Sequence, residues 1–154
     1  MKGMPFGKIW IAVSVILFVL EGLGYWLING TLQSSELMPW RAAPGAVALA
    51  LFVLVAIIGG FAYSYVFLQG YRGRGAVEGV RFGLWLTLLA SVTFNLALAA
   101  MLPLRVVATA EFIIVDLVSF VVAGLAAGAI AGTHTVEVRE AAAGVQPASG
   151  RAAA

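Results

Sequence analysis

Four apolar stretches follow one another along this chain: Lys8–Asn29, Gly45–Gln69, Gly79–Leu102 and Val106–Gly132. A membrane-crossing helix needs about 20 apolar residues at a rise of about 1.5 Å each, and every stretch meets that length. Inside them the polar positions recur at helical spacing. In the first stretch Ser14, Glu21, Tyr25 and Asn29, together with Phe18, fall on one narrow stripe at about 100° per residue. In the second, Ala56, Gly60 and Ser64 form a small-xxx-small row that lets another helix approach closely. Tyr63, Tyr65, Phe67 and Tyr71 crowd its far end and read as an aromatic belt at the membrane surface. In the third, Gly83, Thr87, Ser91 and Asn95 form an uncharged row at i, i+4 spacing. Such a row knits membrane helices together, each hydrogen bond contributing about 0.6 kcal/mol; lining a polar path is the sharper alternative. In the fourth, Thr109, Phe112, Asp116, Ser119, Phe120, Ala123 and Ala127 share a face, with Gly124, Gly128 and Gly132 in a row beside it. The pattern predicts an all-α integral membrane fold, a bundle of four transmembrane helices joined 1–2, 2–3 and 3–4.

Gly30–Pro44 carries Pro39, Trp40 and Arg41 and reads as a loop resting on the membrane surface or closing as a lid. Gln69–Gly79 is a glycine-rich turn bearing Arg72 and Arg74. Leu102–Arg105 is a tight turn around Pro103 that makes the last two helices an antiparallel hairpin. The domain division expected is a transmembrane unit over residues 1–133 and a disordered cytoplasmic tail over 134–154, where composition turns polar and rich in Ala and Gly. The first stretch has a basic start like a secretory signal, but its apolar run continues through Trp26 to Ile28 with no Ala-x-Ala cleavage site. It reads as a retained helix.

Composition narrows the function classes. Of 154 residues, 62% are hydrophobic and 10% charged, against about a quarter charged in soluble domains, which leaves no room for a soluble catalytic domain. There is no cysteine, so disulfides, thiol chemistry and iron–sulfur ligation are excluded. The single histidine, His134, excludes haem held by two histidines of one chain. No cofactor and no metal site are expected. Lys2, Lys8, Arg72, Arg74, Arg81, Arg139 and Arg151 fall on one side if the helices alternate, and only Arg41 and Arg105 on the other. By the positive-inside rule both termini are cytoplasmic, and the expected location is a bacterial inner membrane. Cations dispersed over three flanking segments give no support to nucleic-acid binding. Arg72, Arg74 and Arg81 are placed to meet anionic lipid headgroups. A phosphate at the start of helix three is the weaker alternative.

Glu21 and Asp116 are the candidate chemistry. A charged side chain at mid-membrane costs about 2.5–3.5 kcal/mol on insertion scales, so each needs a reason. Counting rises from the external ends places Glu21 about 13 Å deep, Asp116 about 15 Å, Asn95 about 10 Å and Ser91 about 16 Å. Glu21, Tyr25, Ser91, Asn95 and Asp116 are therefore expected to form one polar level with no basic residue to neutralise it. Two carboxylates there repel, and one should hold a proton near neutral pH. Glu111 points about 140° away from Asp116 and reads as interfacial, within reach of Arg105. Hydrolytic chemistry is disfavoured: no His stands by a serine, no HExxH is present, and intramembrane aspartyl chemistry needs two aspartates where this chain has one.

The run Gly73, Gly75, Glu78, Gly79, Arg81, Phe82, Gly83, a G-x-G-x-x-E-G-x-R-F-G pattern, resembles the lead-in to helix three of some uncharacterised bacterial four-helix inner-membrane proteins. The resemblance extends loosely over the last two helices and implies a shared architecture without an activity. A glutamate in helix one of a small four-helix protein is also similar to the small multidrug resistance transporters, where that carboxylate exchanges protons for cationic drugs. Glu21 alone carries over. The greater length, Asp116 in helix four and the strong charge bias depart from that family. The expected function is non-enzymatic: transport or sensing of a small solute or proton through the carboxylates. The alternative is a structural or accessory subunit whose carboxylates fix packing. Membrane lipids, a homo-oligomer or a larger membrane partner are the expected associations.

Overall fold

The computed structural model describes residues 6–31, 46–101 and 106–144. Among these the chain is entirely helical, and four helical segments are long and apolar enough to cross a membrane: Phe6–Gly24, Leu49–Gly70, Ala76–Met101 and Thr109–Val136. The loop at Gly30–Pro44 and the turn at Leu102–Arg105 that the sequence suggests lie outside the described residues, apart from the last residues of the first helix.

Helix α1 spans Phe6–Thr31 and α2 spans Ala46–Gly70. The third rod is composite. Helix α3 (Ala76–Leu86) passes into a π-helical turn over Thr87–Val92, and α4 (Thr93–Met101) completes it. Helix α5 then runs unbroken over Val106–Gly144. Two boundaries depart from the sequence reading. The third helix begins at Ala76, and the fourth continues twelve residues beyond Gly132. Residues 134–144, which the sequence assigns to a disordered tail, are helical. The Thr133 and Thr135 hydroxyls donate to the Ile130 and Ala131 carbonyls one turn back, and the Ala141–Ala143 run and the two Glu of the extension are strong helix formers.

Helix α5 lies between α1 and α3, and α1 carries α2 on its other flank. Two adjacent rows of small residues allow this. Ala123, Ala127 and Ala131 are fully or almost fully buried in one cluster with Ile9, Val13 and Leu17 of α1. Gly124 and Gly128, each one residue on and so turned about 100°, abut the other side. A Cβ on Gly124 would overlap the Gly79 carbonyl, and one on Gly128 would come within 2.5 Å of the Gly75 carbonyl. The second-helix row is occupied in the same way: a Cβ on Gly60 would strike Ser14 of α1, and Ser64 is fully buried. Both small-residue rows thus meet neighbouring helices of the same chain.

Helices α2 and α3 meet through rings. Tyr63 stands edge-on to Phe82 at 5.0 Å, Phe67 lies 5.5 Å from Phe82, and the Tyr63 hydroxyl donates to the Phe120 carbonyl at 2.8 Å. The interfacial belt that the sequence suggests is therefore divided. Tyr63 and Phe67 are 3% and 2% exposed and form core. Tyr65, two residues from each and on the opposite face, is exposed and stacks with Phe61 beside Trp10 and Phe6. Trp10 also donates its indole N–H to the Ile57 carbonyl at 3.0 Å, tying α1 to α2.

Candidate functional site

The lead-in to α3 is held by its own acidic residue. The two Glu78 oxygens accept the backbone N–H groups of Arg72 at 2.8 Å and Arg74 at 3.1 Å, and the Gly75 N–H donates to the Tyr71 hydroxyl at 3.1 Å. Gly73 and Gly75 take φ of 88° and 65°, where a Cβ is disfavoured. The residues that define the G-x-G-x-x-E-G-x-R-F-G run thus build the structure locally. Gly73 and Gly75 make the turn, Glu78 caps it, Gly79 and Gly83 touch α5, and Phe82 packs against the rings of α2. Glu78 is engaged by the loop rather than by Arg81, and its carboxylate already stands where an anion at this helix start would sit. Arg72, Arg74 and Arg81 are all exposed. Replacing Glu78 by Ala should speed amide exchange at Arg72 and Arg74 at least tenfold and cost about 1–2 kcal/mol, as loss of a capping side chain does. Exchange unchanged at both amides would show that the loop does not depend on Glu78.

About a dozen residues further along the third rod, the polar row turns onto α5. Gly83, Thr87 and Ser91 are buried and Asn95 is half-buried. Thr87 returns its hydroxyl to the Gly83 carbonyl at 2.9 Å. Ser91 donates its hydroxyl to Asp116 Oδ2 at 2.5 Å. The Asn95 amide nitrogen donates to the same Oδ2 at 3.3 Å, to the Ser91 hydroxyl at 3.2 Å and to the Ser91 carbonyl at 3.0 Å. Side chains on a helix lean toward its N-terminus. Because the third rod and α5 are antiparallel, Ser91 and Asp116 lean toward one another and close a gap along the axis. Ser91 lies within the π-helical turn, a feature that is often found at functional sites because it re-aims side chains within a helix.

Glu21 comes to this level from α1. A Cβ on Gly24 would run into the Val115 side chain, so those two residues share a height. Glu21 is three residues and Asp116 one residue from that height in the same direction, an axial offset of about 3 Å. Both are half-buried. Of the five residues predicted for this level, Glu21, Asp116, Ser91 and Asn95 are brought to the same region; the side chain of Tyr25 lies outside the described part of the structure.

Ser119 is the residue that sequence reasoning did not single out. It is 0% exposed, and its hydroxyl has no hydrogen-bond partner among the described residues. Ile9, Val13 and Leu17 ascend α1 in steps of four while Ala131, Ala127 and Ala123 ascend α5 in the same steps. The next step on each row is Glu21 and Ser119. The signal was present in the sequence, since Ser119 is three residues from Asp116 on a shared face. Elsewhere, one Glu111 oxygen is buried without a hydrogen-bond partner among the described residues, and the Arg105 expected to pair with it lies outside them. Ser14 and Phe18, from the α1 stripe, face α2 and line an apolar groove of about 220 Å³ with Val53, Ala56 and Ile57.

No protein-family model matches the chain, and no match was found among curated proteins or among solved structures.

Proposed function

We propose that the chain is a four-span protein of a bacterial inner membrane, with both termini cytoplasmic, that moves or senses a proton or small solute through Glu21 and Asp116. The observation that carries this reading is the polar level itself. Two carboxylates from different helices stand about 3 Å apart in height, Asp116 is bonded to Ser91 and Asn95, and the sequence has no Lys, Arg or His between Lys8 and Arg41, between Arg81 and Arg105, or between Arg105 and His134. Uncompensated charge at such depth is expensive and is characteristic of ion and proton paths. Arg72, Arg74 and Arg81 then anchor the cytoplasmic edge to anionic lipids. The role is non-enzymatic, built on protonation and binding rather than on bond cleavage.

Liposomes containing the purified protein and a trapped pH-sensitive dye test it. Under an imposed pH gradient the wild type should dissipate the gradient faster than empty liposomes. Glu21→Gln and Asp116→Asn should each lower the added rate at least tenfold while remaining folded. A wild type indistinguishable from empty liposomes under every gradient and counter-ion tried removes the transport reading.

The second reading, a structural or accessory subunit, is favoured by the network around Asp116, which joins α5 to the third rod through two donors. It predicts stable association with a larger membrane partner through surfaces other than the two small-residue rows.

A further inference from the structure

We propose that the polar level binds a partly dehydrated sodium ion together with one proton, and that Ser119 completes the oxygen set; this rests on the transport reading above and names what the carboxylates hold. The bonding around Asp116 is lopsided. Ser91 and Asn95 both direct their hydrogens to Oδ2. The remaining oxygens of this level are Asp116 Oδ1, Asn95 Oδ1, the Glu21 carboxylate and the Ser119 hydroxyl. The Asn95 side-chain carbonyl is an acceptor only, since its nitrogen is the atom engaged with Ser91 and Asp116.

Ser119 is the independent observation: of the three serine hydroxyls buried without a partner among the described residues, Ser14, Ser64 and Ser119, it alone lies on α5 within one turn of Asp116. A buried hydroxyl without a partner costs free energy, and nearly all such groups in folded proteins find one. Ser119 is fully buried, unpartnered, one turn from Asp116, and on the side of α5 where the Ala123 row meets α1. A cation between Glu21 and Asp116 at that step of the two rows gives the hydroxyl oxygen a partner. Hard oxygen donors select hard cations.

Charge and ligand number choose among them. Mg2+ sheds water reluctantly and Ca2+ takes 6–8 oxygens, usually several of them carboxylate. Here one carboxylate oxygen is already engaged by two protein donors, and no group of three His, Cys, Asp or Glu side chains converges among the described residues. One sodium ion and one proton, or two protons, balance the two carboxylates to neutrality, so the sodium ion and the second proton compete for the site, and exchange of the one for the other is the transport step.

The test uses the full chain in detergent at constant ionic strength, with NaCl replacing choline chloride. The wild type should show a saturable rise in melting temperature of about 3–6 °C at ten times the half-saturating concentration. Ser119→Ala should raise that concentration at least tenfold, and Ser119→Thr, which keeps the hydroxyl, should restore it. Uptake of radioactive sodium by wild-type proteoliposomes with an acidic interior is the second measurement and does not depend on any variant folding. Identical melting curves in the two salts with no sodium uptake overturn the proposal, and if the dye still reports proton movement the transport reading survives alone. Saturable stabilisation by sodium with neither proton movement nor sodium uptake leaves the cation site standing and removes the transport reading. Unchanged sodium affinity in Ser119→Ala removes Ser119 from the site.

Discussion

Gly83→Ala is expected to lower the unfolding free energy by about 1–3 kcal/mol, as overpacking does, while Gly59→Ala should raise it by up to about 1 kcal/mol. Both glycines are helical, both replacements add one methyl group, and intrinsic helix propensity favours alanine at each. The sign differs because of what the methyl meets. At Gly83 the nearest atoms are the Phe120 carbonyl and the Val121 Cα, all backbone, and backbone of a packed helix cannot rotate aside as a side chain can. At Gly59 no atom lies within 4 Å. Gly83→Val should go further and separate α3 from α5, carrying Ser91 away from Asp116 and abolishing gradient dissipation along with cooperative melting. Thermal melts of the three purified variants, read at the same detergent and salt, check this. A neutral Gly83→Ala would mean that α3 and α5 are not in backbone contact.

The same contacts explain what could be read from the sequence. Helical periodicity located four membrane-length segments, and the faces carrying Gly83, Thr87, Ser91 and Asn95 on the third rod and Asp116 and Ser119 on α5 follow directly from it. The depth count put Glu21 and Asp116 near one level because rise per residue is a constant of the helix. What the pattern did not carry was which neighbour each face meets. Tyr63 and Tyr65 are identical by composition, yet one is core and the other exposed, a difference set by the position of α3. The π-helical turn has no local marker, since Thr87–Val92 contains neither Gly nor Pro. It is a tertiary feature, seen only when Ser91 is found bonded to Asp116. The extension of α5 was missed for the converse reason: periodicity reports a buried face, and residues 134–144 carry no apolar repeat to report.

Whether the carboxylates serve function or packing is decided by the sign of one coupling energy. In the proposed reading Glu21→Gln should raise stability by about 0.5–2 kcal/mol at a pH high enough to ionise both carboxylates, as removal of a functionally retained strain does, because it removes one of two like charges left without a cation. Asp116→Asn should change stability less, since an amide oxygen still accepts from Ser91 and Asn95 where Oδ2 did. The double variant should then be less stable than the sum of the single effects, because the repulsion between positions 21 and 116 can be relieved only once; residues in such contact couple by about 0.5–3 kcal/mol. The structural reading requires the reverse. If the two carboxylates share a proton and clamp α1 to α5, each single replacement breaks the clamp and destabilises, and the second costs little once the first has been made. Melting curves for the four proteins in sodium-free buffer distinguish the two, since bound sodium would mask the repulsion. Stabilisation by Glu21→Gln accompanied by at least a tenfold loss of gradient dissipation places the charge in the transport path. Destabilisation of both singles with a near-silent second step assigns Glu21 and Asp116 to holding the bundle together.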